Sequence, residues 1–409
     1  MRIASSLMLL VGMGCSGSDK DTAEWVTTSS PDTSTSDPTT PTGTTPPEPE
    51  GVAALGGTSH DLGQVVLTEI ATSSDGLDVP RDLEFNPHVY GELWVVNRAD
   101  DSVTIISDAG TPDQSSRHVI DPYAFHFMEE VSSISFGAPL FEDSDFPNFG
   151  TCQESQNTYN GLAPPDLFMG PTLWNSDPDI FGYSNPEAID YLSNLYGFYV
   201  DLGSHIDMLH QSSDCVGIAW ERDNVYWVFD GYNNAIDRND FVDDHGVGYD
   251  DHGDGVISQY MTGELSYVQD VPGHLYFDHS SALLYIADTG ASEIKVLDTT
   301  TGSRGASEFA WEPGTDSHMM DDAVFWTLID GEDVGLELPS GLTMVEDHLL
   351  VTDNATGVIH AFDLEGNQVD YLDTGLGSGA LMGLRATSLL DIWFVDAETD
   401  KVMRLQPAE

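Results

Sequence analysis

VPGHLYFDHSSALLYIADTGASEIKVLDTTTG, residues 271–302, reads as three short strands joined by tight turns. Gly273 to Phe277 alternate up to a turn at Asp278 to Ser281, Leu283 to Ala287 form a β-rich apolar run, and Asp288-Thr289-Gly290 turns the chain into Glu293 to Leu297. A sheet this thin cannot cover both of its faces, so it must stack on copies of itself. The phrase does recur, from residue 79 almost to the end. Its middle strand meets the following turn in LWVVN at Asn97, YWVFD at Asp230, LYIAD at Asp288, LLVTD at Asp353 and IWFVD at Asp396, the last four spaced by about 55 residues on average.

The gap between Asn97 and Asp230 has room for one more unit. VSSISFG at 131–137 stands where PRDLEFN stands in the first unit, and FGTCQESQN replaces LWVVNRADD, losing the Asp. Each unit opens on Pro, Gly or small residues, as at Val79-Pro80, Val271-Pro272-Gly273, Leu338-Pro339-Ser340-Gly341 and Leu381-Met382-Gly383. Over about residues 62–407 the pattern resembles a six-bladed β-propeller of the NHL-repeat type, an all-β fold. The last unit stops after three strands at Val402 to Leu405, while Gln64 to Ile70 is an unclaimed strand, so the N-terminal strand is expected to complete the last blade and close the ring. The recurring Asp is read as a turn-former that accepts backbone N–H bonds.

Charge is the outlier in the composition. Against 70 Asp and Glu stand 12 Lys and Arg in 409 residues, a formal net charge of −58. Such a surface repels nucleic acid and anionic lipid, and suits cations or high salt. Met1-Arg2, the apolar run Ile3 to Met13 and the Gly14-Cys15-Ser16-Gly17 junction resemble a bacterial lipoprotein signal, with Gly12 where the family usually has Leu. The resemblance implies a signal peptide over 1–15, lipidation at Cys15 and an exported protein on an outer-membrane lipid anchor, facing the periplasm or the cell surface. Ordinary secretion is the alternative. Residues 16–61, rich in Ser, Thr, Pro, Asp and Glu at their start, read as a disordered tether, leaving 62–409 for the propeller as a monomer. Cys152 and Cys215 are the two cysteines of the folded part and form a disulfide if the compartment is oxidising.

Topology sorts the candidates for chemistry. In a propeller, loops that enter inner strands and loops that follow second strands share one face around the channel mouth. To that mouth are assigned His274, the segment GSHIDMLHQSSDC with His205, Asp207 and His210, and CQESQNTYN with Glu154, Asn157 and Asn160. His205, His210 and His274 are the ligand types of Zn²⁺, and Glu154 or Asp207 would then serve as base. The arrangement is similar to that of peptidyl-hydroxyglycine amidating lyases, which hold zinc by histidines at the channel, and of lactonase and paraoxonase propellers, which hold calcium through Glu, Asn and Asp. The resemblance implies a metal-dependent lyase or hydrolase. The other reading is a module that binds a small-molecule or peptide ligand, or a protein partner.

A long segment, 160–203, is read as an insertion between blades two and three, rich in aromatic residues, with a short helix over Pro186 to Tyr196 and the role of a lid, a ligand wall or a cover. FVDDHGVGYDDHGDGVISQY crowds Asp243, Asp244, His245, Asp250, His252 and Asp254 into one glycine-rich loop, where like charges repel unless a cation sits among them. Asp250, His252, Asp254, Gly255 and Ile257 match part of an EF-hand loop, with Met261 in the place of the bidentate Glu. Both Ca²⁺ and a transition metal such as Zn²⁺ are open at this loop, on the face opposite the mouth.

Overall fold

The computed structural model describes residues 51–139, 146–156, 168–306, 309 and 314–408. The signal-like segment, Cys15, most of the tether, Asn157 and Asn160 lie outside the described residues.

The second strand of each repeated phrase is apolar on both sides because both sides are covered. Leu93–Asn97 and Val225–Asp230 are buried at every position. Around them the chain builds six antiparallel sheets in sequence order. Blade 1 is Pro80–Phe85, Leu93–Asn97, Ser102–Ser107 and Ser115–Ile120. Blade 2 is Val131–Phe136, Asn148–Gln153, Thr172–Asn175 and His205–Met208. Blade 3 is Cys215–Arg222, Val225–Asp230, Ala235–Asp240 and Val256–Tyr260, and blade 4 is Leu275–Asp278, Leu283–Asp288, Glu293–Asp298 and Val324–Asp330. Blade 5 runs Pro339–Val345, His348–Asp353, Val358–Asp363 and Gln368–Asp373. Blade 6 takes Leu381–Ser388, Asp391–Asp396 and Lys401–Pro407 from the end of the chain and Val65–Ala71 from its beginning. The fold is a six-bladed β-propeller, and the N-terminal strand closes it, with Val65 opposite Pro407 and Leu67 opposite Leu405.

Three features differ from the sequence reading. The segment 160–203 is not an insertion between blades two and three: Thr172–Asn175 lies within it and is the third strand of blade 2, and His205–Met208 directly after it is the fourth. The expected helix is there as Pro186–Tyr196, with Asn185 accepting from the Glu187 N–H and Gly197 ending it at φ 78. The body also begins before residue 62, since Val52, Ala54 and Leu55 are fully buried against blades 5 and 6 and the Ala54 N–H donates to the Leu389 carbonyl at 3.0 Å. Finally, blade 3 is wider than four strands. Asp316–Asp321, from the connection between the third and fourth strands of blade 4, pairs in parallel with Val256–Tyr260 and covers that edge.

Candidate functional site

Blades 2 and 3 are joined near the axis by the disulfide between Cys152, in the second strand of blade 2, and Cys215, which opens blade 3, with Cα atoms 5.0 Å apart. At the periphery the same two blades meet again. There His205 opens the outermost strand of blade 2, and the loop between the third and fourth strands of blade 3 carries His245 and His252. Backbone pairing sets their positions: the His245 N–H donates to Ile206 O at 3.1 Å and the Gly248 N–H to His205 O at 2.8 Å.

The ligand atoms of His205, His245 and His252 all lie within 4.8 Å of one another. Each ring is held by its Nδ1. That atom contacts the Leu202 carbonyl at 2.8 Å in His205, the Gly246 carbonyl at 2.8 Å in His245 and the Asp207 carboxylate at 3.2 Å in His252. The Nε2 atoms of His205 and His245 are buried with no hydrogen-bond partner, and His252 Nε2 stands 3.2 Å from Asp250 Oδ1. Burial and the neighbouring rings push both unpartnered histidines far toward the neutral form, His245 to about 3. Burial opposes charge on His252 too, but its hydrogen bonds to Asp207 and Asp250 outweigh it and push that imidazole up to about 10. Burial raises Asp207 to about 7 against the His252 and Met208 N–H contacts.

The six sequence-predicted loop residues divide. His245 and His252 gather with His205 and Asp250 meets His252 and Tyr196, whereas Asp244 accepts from the Gly246 N–H and Asp254 from the Asp243 N–H, closing turns of the loop itself. Among the described residues the carboxylates of the partial EF-hand match form no group of three possible metal ligands.

The proposed trio at the channel mouth does not assemble. His210 lies beside the peripheral cluster, its ring 5.4 Å from that of His252 and stacked on Phe168. His274 directly precedes the inner strand of blade 4, buried, with Nε2 3.3 Å from Ser132 O and Nδ1 3.8 Å from Asp82. The difference lies in the strand count: with the third strand of blade 2 inside the apparent insertion, His205 is assigned to the approach to blade 3 instead of to the fourth strand of blade 2. Glu154 is buried. It accepts from Arg98 Nε at 2.9 Å and Tyr267 OH at 3.1 Å, with Arg81 at 3.8 Å, and Arg98 also binds Glu130 and Asp270.

No family model and no curated protein matches this chain. Solved structures do. The chain is similar to virginiamycin B lyase from Staphylococcus aureus, at 13% identity over 84% of this chain and 100% of that one, with a TM-score of 0.45. It is also similar to an auxiliary nutrient binding protein from Bacteroides ovatus, at 10% identity over 85% and 77% of the two chains and a TM-score of 0.45. A nidogen/laminin complex matches at 14% identity over 75% and 84%, with a TM-score of 0.44.

Proposed function

We propose that this protein is an exported binding module whose rim, between blades 2 and 3, holds one divalent transition-metal ion. Nε2 of His205, His245 and His252 supply three ligands and Asp250 the fourth. The observation that carries this reading is the convergence of the three rings within 4.8 Å: each Nδ1 is anchored on a carbonyl or carboxylate, the Nε2 atoms of His205 and His245 are buried without a partner, and that of His252 meets Asp250. Outer partners of this kind fix the tautomer and raise the basicity of a metal-bound imidazole. Three nitrogens and one carboxylate oxygen favour Zn²⁺ over Ca²⁺, which prefers six to eight oxygens. Ligand nitrogens on a tetrahedral zinc stand roughly 3.4 Å apart, a modest contraction from the spacing above.

A binding role has more support than the lyase or hydrolase alternative, because Glu154 is wrapped by Arg81, Arg98 and Tyr267, and Asp207 sits behind His252 instead of facing solvent. The ligand carried is then a small molecule, a peptide or a protein partner. The lipoprotein-like signal and the Cys152–Cys215 bridge support export, with Cys15 as the lipidated residue. The spacing of the repeated phrases supports the NHL-type reading.

Metal analysis and calorimetric titration test the site. After chelation the propeller should take up one Zn²⁺ per chain, and at a free concentration of 100 times Kd the ion should add about 2.7 kcal/mol of stability. His245→Ala should abolish uptake while Ca²⁺ gives no heat at this site. Absence of both heat and thermal shift with Zn²⁺ would remove the proposal.

A further inference from the structure

Beside the histidine cluster lies a cavity of about 600 Å³ bounded by the connection between blades 1 and 2, by the segment after the Pro186–Tyr196 helix, and by Asp250. Its wall is aromatic and open to solvent: Phe125 is 52% exposed, Tyr196 48%, Phe198 66% and Tyr199 71%. Clustered exposed rings of this size mark interaction sites on soluble proteins.

The polar chemistry of the wall is one-sided. Among the described residues its only charged side chains are Asp201 and Asp250, and the rest are tyrosine, phenylalanine, proline, valine and leucine. The two most prominent phenols have already committed their protons, Tyr196 OH to Asp250 at 2.9 Å and Tyr199 OH to Asp201 at 3.2 Å. Among the described residues the wall therefore presents ring faces, carboxylate oxygens and the Tyr123 phenol, with no lysine, arginine, histidine or amide side chain. An anion requires donors, which, the Tyr123 phenol aside, these side chains do not offer. A methylated ammonium group requires none, because ring faces attract it electrostatically and carboxylates balance its charge. The net charge of −58 raises the local concentration of any such cation.

We propose that this cavity binds a small organic cation bearing a quaternary or methylated ammonium head. The site shares Asp250 with the metal reading, but Asp201 and the rings are no part of that ligand set, so choline binding and metal uptake can be read separately.

The test is calorimetric titration of the full propeller with choline and with 3,3-dimethylbutan-1-ol, which has the same shape without the charge, in chelator-treated and in Zn²⁺-loaded protein. Choline should bind saturably in both, and the neutral isostere at least ~10-fold more weakly. Phe198→Ala and Tyr199→Ala, at exposed positions, should each weaken choline by at least ~5-fold with an unchanged thermal melt. Equal affinity for the isostere would make the cavity merely apolar and overturn the proposal, as would unaltered binding in both variants or no saturable heat with choline. Choline binding without Zn²⁺ uptake sinks the metal reading alone, and the reverse result sinks this one alone.

Discussion

Asp353 accepts the N–H groups of Glu337 and Leu338, Asp288 that of Ser266, and Asp396 those of Glu398 and Thr399, so the repeated acid closes turns in blade after blade. Its recurrence at one place in each phrase made that role legible without coordinates. Blade 3 adds a second acid that no repeat announces. Asp237, fully buried in the third strand, lies against Asp230 and accepts from Ser212. Burial raises Asp237 to about 6 against the hydrogen bonds from Ser212 and Gln259, and burial together with Asp237 raises Asp230, so the pair retains a proton well above the usual carboxylate range. An unfolded aspartate gives up its proton near 3.8, so the stabilisation from the retained proton is complete below that pH and is lost as pH rises through about 6. Asp237→Asn keeps the shape and removes the titration near 6, leaving Asp230 still raised by burial. Its melting free energy relative to the native chain should therefore climb between pH 4 and 7 by on the order of 1–3 kcal/mol, measured by thermal denaturation. A difference that stays level across that range would show the pair to be ionised throughout.

At the scale of elements, the inner strands explain why each phrase opens on small residues. A Cβ at Gly217 would stand 2.2 Å from the Gly273 carbonyl oxygen, and one at Gly341 2.2 Å from that of Met382, because neighbouring inner strands close in around the axis. The small-residue openings at Gly273, Gly341 and Gly383, the alternation and the orphan N-terminal strand sufficed to read the fold. The candidate site was legible only in pieces. TLWN at 172–175 is a four-residue strand among Pro, Gly and aromatic residues, too short for its pattern to stand out. Without it, His205 and the loop carrying His245 and His252 fall on opposite faces in a strand count, although backbone pairing puts them side by side. The N-terminal segment offers the sharpest test of an element. Deleting residues 51–71 would expose the edge of Lys401–Pro407 and remove the buried Val52, Ala54, Leu55, Val65 and Ala71. The truncated chain should melt ~10 °C lower or more and associate with rising concentration in light scattering, because the freed edge pairs with a second copy. An unchanged melt would mean that blade 6 stands on three strands.

On the scale of the whole molecule, five of the twelve basic residues are tied to buried or half-buried carboxylates. Arg81 and Arg98 serve Glu154, Arg385 lies between Asp82 and Glu84, Arg238 grips Glu221 at 2.7 Å and Lys295 binds Asp288 at 2.6 Å. With 12 basic residues in all, few remain to offset 70 acids, so the surface repels itself and the compact state bears that repulsion. Salt shortens the reach of each charge from about 10 Å at 0.1 M to about 3 Å at 1 M. Thermal melts across that range should therefore rise by on the order of 5 °C, the equivalent of a few kcal/mol of relieved repulsion. NaCl and KCl should act alike, because screening depends on ionic strength and not on which monovalent ion supplies it. The rise should also level off by about 1 M, when the screening length falls below the separation of neighbouring carboxylates. A rise that starts only above 1 M and depends on the anion would belong to strengthened apolar burial instead. A flat profile would mean that the acidic surface carries no repulsion for salt to relieve, and saline adaptation would then lose its physical basis in this chain.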